Sequence, residues 1–161
     1  MKKIQQTPRQ RLSTFVRGIH TNILRLKGND IGEHSYVARS AHTDGTNPKG
    51  VHIGHHSRIS VRATVLAHDY FGGRGNVDTY IGHHTVIGGQ AWINPGLKIG
   101  NHVVVGACSV VTKDIPDHCM VAGNPAKIIK EGIELDDYYR IVNKGHKVSS
   151  SLNTLSQSNE K

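Results

Sequence analysis

Aromatic side chains are scarce in this chain: Phe, Trp and Tyr together make up 5% of its 161 residues. That argues against a globule packed on interlocking rings. Cysteine is scarcer still. Cys108 and Cys119 are the two present, too few for a disulfide framework and without the paired spacing of a metal site; both are expected as reduced thiols in a cytoplasmic protein. Long apolar runs are missing too. No stretch approaches the roughly 18 apolar residues of a membrane span, and Met1-Lys2-Lys3 is not followed by an apolar signal core, so export is not expected. Acidic residues are few, with 12 Asp and Glu against 20 Lys and Arg and a formal net charge of +8. Such an excess favours an anionic partner: nucleic acid, a membrane surface or a phosphorylated cofactor. Nucleic acid is not expected, because no aromatics interleave with the basic residues and no nucleic-acid motif is present.

What the chain does have is glycine, 18 residues of it, and a repeat of six. From Ile81 the units begin Ile81-Gly82, Ile87-Gly88, Ile93-Asn94, Ile99-Gly100, Val105-Gly106 and Val111-Thr112. An aliphatic residue at every sixth position fits neither the 3.6 period of a helix nor the 2 of a lone strand. It fits a solenoid in which each six-residue side is one short strand and one tight turn. Three sides close a coil of 18 residues, and coils stack by parallel pairing about 4.8 Å apart. The first residue of each unit points into the prism, and the smaller fifth residue points in beside a corner. Ile81, Ile87, Ile93, Ile99 and Val105 are the expected core, within a prism over 31–126.

The pattern also runs upstream, from Ile31-Gly32 and from Ile53-Gly54, with interruptions at 43–50 and 69–78. Loops inserted into a rigid repeat commonly carry function. Residues 10–27 read as a basic amphipathic helix, with Leu12, Phe15, Val16, Ile19, Ile23 and Leu26 at helical spacing. It is expected to cap the solenoid, with contact to a membrane surface as the alternative. Residues 126–130 suit a closing strand, and 136–142 a short helix before a Ser- and Asn-rich tail. The organisation is thus an N-terminal helical segment (1–28), a repeat domain (29–130), and a short helix and tail (131–161).

Among twelve histidines, His34, His55, His56, His83, His84 and His102 occupy the third or fourth position of a unit, where they read as solvent-facing turn residues. His68 differs. It falls where the repeat breaks and the second inserted loop begins.

Ile93-Asn94-Pro95-Gly96, Val110-Val111-Thr112-Lys113-Asp114-Ile115-Pro116 and Val121-Ala122-Gly123-Asn124-Pro125-Ala126-Lys127-Ile128-Ile129 resemble stretches of the hexapeptide-repeat O-acetyltransferases of the maltose and galactoside type. Asn47-Pro48-Lys49-Gly50-Val51-His52-Ile53-Gly54 and His68-Asp69-Tyr70 look closer to the capsule and exopolysaccharide O-acetyltransferases. The resemblance covers roughly 28–135. It implies a mainly β fold, a left-handed parallel β-helix, assembled as a homotrimer with acetyl-CoA bound between neighbours. Left-handedness comes from the resemblance and not from the period, for it runs against the usual crossover rule.

By the same resemblance His68 is the catalytic base, a role suited to imidazole because its ordinary pKa is near neutrality. Gly89 and Ala107 meet the pantetheine arm, and Thr112 and Lys113 the nucleotide end. Lys127 and Lys130 reach the phosphates, where the family often has Arg. Val86 departs from the maltose and galactoside pattern, which has Trp there. No metal is expected: the same fold carries zinc carbonic anhydrases, but their His-x4-His spacing is absent. The implied reaction is direct transfer of acetyl to a hydroxyl of a sugar or polysaccharide precursor. Asp44, Asp78 or a backbone carbonyl could orient His68, while Cys108 has no neighbour in sequence that marks it as activated. A non-sugar acceptor, or a trimerisation module without chemistry, are the alternatives.

Overall fold

A computed structural model describes residues 18–148. A helix, α1 (18–26), leads into a solenoid. Its first coil holds β1 (Asp30–Ile31), β2 (Tyr36–Val37) and β3 (His42–Thr43); its second holds β4 (Val51–Ile53), β5 (Arg58–Ile59) and β6 (Thr64–Val65). A small antiparallel hairpin follows, β7 (His68–Asp69) and β8 (Gly75–Asn76). The third coil is β9 (Thr79–Ile81), β10 (Val86–Ile87) and β11 (Trp92–Ile93), and the fourth β12 (Lys98–Ile99), β13 (Val104–Val105) and β14 (Val110–Val111). The last described elements are β15 (Cys119–Gly123), β16 (Ala126–Leu135) and β17 (Ile141–Lys147).

Each coil gives one strand to each of three parallel faces: β1-β4-β9-β12, β2-β5-β10-β13-β15 and β3-β6-β11-β14. The coiling is left-handed. Ile31 pairs with Ile53, Ile53 with Ile81 and Ile81 with Ile99, steps of 22, 28 and 18 residues. The longer steps contain the two inserts, which loop outward without displacing the register. Ile81, Ile87, Ile93, Ile99 and Val105 are all inward and at most 3% exposed, as the period requires. No single strand could bury its apolar side; stacking does so.

The corner between the first and second faces is bound by a ladder of hydroxyls. Ser57 Oγ donates to Gly82 O at 2.7 Å and accepts the Thr85 N–H at 3.0 Å; Thr85 Oγ1 donates to Gly100 O at 2.8 Å and accepts the Val103 N–H at 3.1 Å. The glycine ahead of each rung is there because coils stack closely: a Cβ on Gly82 would lie 2.5 Å from Gly100 O.

The fourth position of these turns is left-handed, with φ of 58° at His34, 51° at His56, 50° at His84, 52° at His102 and 60° at His118. Histidine is among the few non-glycine residues enriched there. The rings stack coil on coil, 5.1 Å from His56 to His84, 4.9 Å from His84 to His102 and 5.0 Å from His102 to His118. His34, His55 and His83 are exposed as expected, but the expectation of solvent-facing rings is corrected for His56, His84 and His102, which are half-buried, as is His118. What covers the half-buried rings is the C-terminal segment. Ile133 N–H donates to His118 O at 3.0 Å, Leu135 N–H to His102 Nδ1 at 3.2 Å and Tyr139 OH to His34 O at 2.9 Å. Asp137 Oδ1 lies 3.4 Å from His56 Nδ1 and 3.8 Å from His84 Nδ1.

That segment also corrects the C-terminal expectation. The closing strand extends to Leu135, and in place of a helix over 136–142 there is a turn closed by Asp136, followed by β17 paired antiparallel with β16. Asp136 accepts the Tyr138 and Arg140 N–H groups at 2.9 Å each, a local side-chain bonding pattern that competes with helix.

At the other end α1 does close the first coil, but not through the expected stripe. Thr21 and Leu24 are its buried residues; Leu24 joins the core and Thr21 Oγ1 accepts the Val37 N–H. Ile19, Ile23 and Leu26 face outward. Leu12, Phe15 and Val16 lie outside the described residues.

Candidate active site

Both inserts leave the same corner, between the third and first faces. The first departs after β3 and the second after β6, and β3 and β6 pair in register, Thr43 opposite Val65. The residue following Thr43 is therefore carried to the root of the second insert. That residue is Asp44. Its Oδ2 accepts the Ala67 N–H at 2.6 Å and lies 2.5 Å from His68 Nδ1; its Oδ1 accepts the Thr46 and Asn47 N–H groups at 2.8 and 3.0 Å. Asn47 completes the junction by donating to Ala67 O and Val77 O at 2.8 and 3.1 Å, so each insert braces the other.

The electrostatics assign the proton. Burial of Asp44 pushes its carboxyl up, but the N–H donors of Ala67 and Asn47, the His68 ring and the Thr46 N–H outweigh that and hold it at about 2. Asp44 is thus a carboxylate at neutral pH, able only to accept, so His68 donates to it from Nδ1, which in the neutral ring leaves the lone pair on Nε2. The ring is 26% exposed beside a carboxylate that is 1% exposed. Such an arrangement can take a proton from a neighbouring hydroxyl and stabilise the resulting imidazolium. No group of three or more His, Cys, Asp or Glu among the described residues could hold a metal ion.

Asp69 plays a different part. Successive strand residues point to opposite sides, and its carboxylate turns into the hairpin, accepting the Gly72 N–H at 2.7 Å and Arg74 Nε at 2.7 Å. The Arg74 hydrogen bond, then that from Gly72, holds the Asp69 carboxyl below its ordinary value. Arg74 Nη2 also donates to Pro95 O at 3.1 Å, tying the hairpin to the next coil. The Tyr70 ring lies 4.9 Å from that of His68. Asp78 faces away, 3.8 Å from His52 Nε2.

Of the other expected site residues, Gly89 and Ala107 share the corner between the second and third faces, one coil apart, linked by the Cys108 N–H to Gly89 O at 2.9 Å. Cys108 is exposed with its thiol 3.6 Å from Gln90 Oε1. Thr112 and Lys113 are exposed on the His68 corner, beyond β14. Lys127 and Lys130 sit on β16 opposite Ala122 and Met120, at the end of the second face. Within one chain, then, Gly89 and Ala107 come together, and Lys127 and Lys130 share β16. Neither pair shares the His68 corner.

Sequence reasoning left Asp44 as one of several alternatives and missed Asn47 and Arg74. The available signal for Asp44 was its position as the first residue after a strand that pairs with the strand before His68.

No family model matches the chain. A galactoside O-acetyltransferase of Escherichia coli strain K12 is 44% identical over 72 residues, 45% of this chain and 34% of that protein; the chain spans between about a quarter and a third of the length of the curated relatives it matches. Among solved structures, a maltose O-acetyltransferase from Clostridium difficile 630 superposes with a TM-score of 0.53 at 24% identity, covering 71% of this chain and 85% of that one. A serine acetyltransferase in complex with CoA gives 0.53 at 23%, covering 63% and 40%. In sequence and in fold, the chain is similar to the hexapeptide-repeat acetyltransferases.

Proposed function

We propose that this protein transfers an acetyl group from acetyl-CoA to a hydroxyl of a sugar or sugar-containing precursor, with His68 as general base and Asp44 as the group that orients it. The observation that carries the reading is the Asp44–His68 contact of 2.5 Å at the root of two mutually braced inserts. The galactoside and maltose enzymes it resembles support a sugar acceptor.

In this mechanism His68 Nε2 takes the acceptor O–H proton as the oxygen attacks the thioester carbonyl. An oxyanion forms, with a backbone N–H near Gly89 as the stabilising donor. The C–S bond then breaks, and the imidazolium returns the proton to the departing CoA thiolate. The ester and free CoA account for every atom, and no enzyme nucleophile takes part because a thioester is already activated. Gly89 and Ala107 line the pantetheine arm; Thr112, Lys113, Lys127 and Lys130 serve the nucleotide end. His68 and Gly89 stand at opposite edges of the third face, so the site is completed between copies of the chain, in a homotrimer.

The test is an acceptor panel supplied with acetyl-CoA, read by thiol release and by mass spectrometry of the product. Acetylated sugar with wild type and none with His68→Ala is expected. Absence of thiol release with every sugar sinks the sugar reading, and a monomer in sedimentation sinks the shared site.

A further inference from the structure

The protein's positive charge is not spread evenly along its sequence. Seven of its 20 Lys and Arg lie in residues 1–27, at positions 2, 3, 9, 11, 17, 25 and 27, and no Asp or Glu lies there. The remaining 13 cations face 12 acids, so the rest of the chain is close to neutral. The net charge of +8 is almost wholly a property of this one segment.

The described part of the segment, α1, uses the wrong side for its apolar stripe to be a core element. Thr21 is 3% and Leu24 8% exposed against the first coil, whereas Ile19, Ile23 and Leu26 are 46%, 44% and 88% exposed. Positions 19, 23 and 26 fall on one line of a helix surface. The anchoring of α1 is independent of them: Arg25 donates to Ile31 O and Gly32 O at 2.9 and 2.8 Å, and Leu24 packs in the core. The helix is thus docked by one face and presents a second apolar face outward, in the stretch of chain that holds the positive charge. No helix among the described residues is long and apolar enough to cross a membrane.

We infer that α1 docks this protein on an anionic lipid surface, with Ile19, Ile23 and Leu26 seated among the acyl chains and the N-terminal cations against the headgroups. Apolar side chains on one face combined with clustered Lys and Arg are what an interfacial helix requires. Charge decides between this occupant and a second copy of the segment, since, with Arg25 held on the first coil, two copies would still bring six cations against six with no acid in either segment. The inference does not depend on the acetyl-transfer reading.

The test is co-sedimentation of the full chain with vesicles of phosphatidylcholine alone and of phosphatidylcholine with phosphatidylglycerol. Wild type should bind the anionic vesicles, bind them less as salt is raised, and leave the neutral ones in solution. Ile23→Asp combined with Leu26→Asp changes exposed positions only, and should lower binding about tenfold while the circular dichroism and the sedimentation coefficient stay those of wild type. A second variant, Arg9→Gln with Arg11→Gln and Arg17→Gln, should weaken binding and flatten its salt dependence. Equal binding to neutral and anionic vesicles, or undiminished binding by either variant, overturns the proposal. So does a change in oligomeric state caused by the Asp pair without lipid, which would make this face a protein interface.

Discussion

Asp44 and His68 are 24 residues apart in sequence and 2.5 Å apart in space, and what joins them is strand register. With Thr43 opposite Val65, the first residue of one insert meets the root of the next. His68→Ala should lower turnover about 10²–10⁴-fold while acetyl-CoA still binds by calorimetry. Asp44→Asn should cut turnover by at least about tenfold, because the ring loses the partner that sets its tautomer. Cys108→Ala should remain active. Wild-type turnover by Asp44→Asn on the natural acceptor would leave the carboxylate with a purely structural role.

Asp44 also ties stability to acid. Its folded pKa of about 2 lies below the ordinary 3.8, so the folded state binds fewer protons than the unfolded one between these values. Its stabilising contribution, about 2 kcal/mol, is complete above the unfolded value and disappears as pH falls through the folded one. Denaturant midpoints measured across this range should fall with acid in wild type, and less steeply in Asp44→Asn.

His102 adds a second slope at higher pH. Burial first, and then the neighbouring His84 and His118 rings, push it below 6.5, with Glu134 opposing. Leu135 N–H donates to its Nδ1, a bond that only the neutral ring can accept. Asp117, beside His102 and His118, and Asp137, beside His84, also face this corner. A lowered histidine favours the fold above its unfolded pKa and loses that contribution as pH drops beneath it. Limited proteolysis within 133–140 should therefore be faster at about pH 5 than at about pH 8, using a protease whose own rate is corrected on a peptide. His102→Asn should reduce the difference.

The close stacking of coils can be tested at a glycine. A Cβ on Gly82 would meet Gly100 O at 2.5 Å, whereas one on Gly45 would meet nothing within 4 Å. Gly82→Ala should cost about 1–3 kcal/mol of stability and Gly45→Ala less than about 0.5 kcal/mol, read from urea melts. Equal effects would mean that the coils part easily.

For the donor, Lys113→Ala, Lys127→Ala and Lys130→Ala together should raise the KM for acetyl-CoA and flatten its dependence on salt, with turnover at saturation little changed. If CoA and dephospho-CoA inhibit wild type equally, the contact with the 3′-phosphate is absent.

The six-residue period by itself determined the solenoid, its three-strand coil and the inward line from Ile81 to Val105. That much is legible in sequence because an aliphatic residue recurring at a fixed interval has to be buried by its own neighbours. It also marked His68, as the histidine standing where the period fails. The tertiary structure alone decided the rest. The partner of His68 depends on which strands pair across two loops of unequal length, and no local pattern encodes that. The stacking of the histidine rings depends on coils superposing at a corner, and their burial on a C-terminal strand that folds back. Residues 136–142 read as a short helix because their spacing shows neither the turn that Asp136 closes nor the pairing of β17 with β16. The apolar stripe of α1 has a clear helical spacing, but spacing cannot say which side faces the core. Leu24 took that place by reaching the first coil, and Ile19, Ile23 and Leu26 were left facing outward.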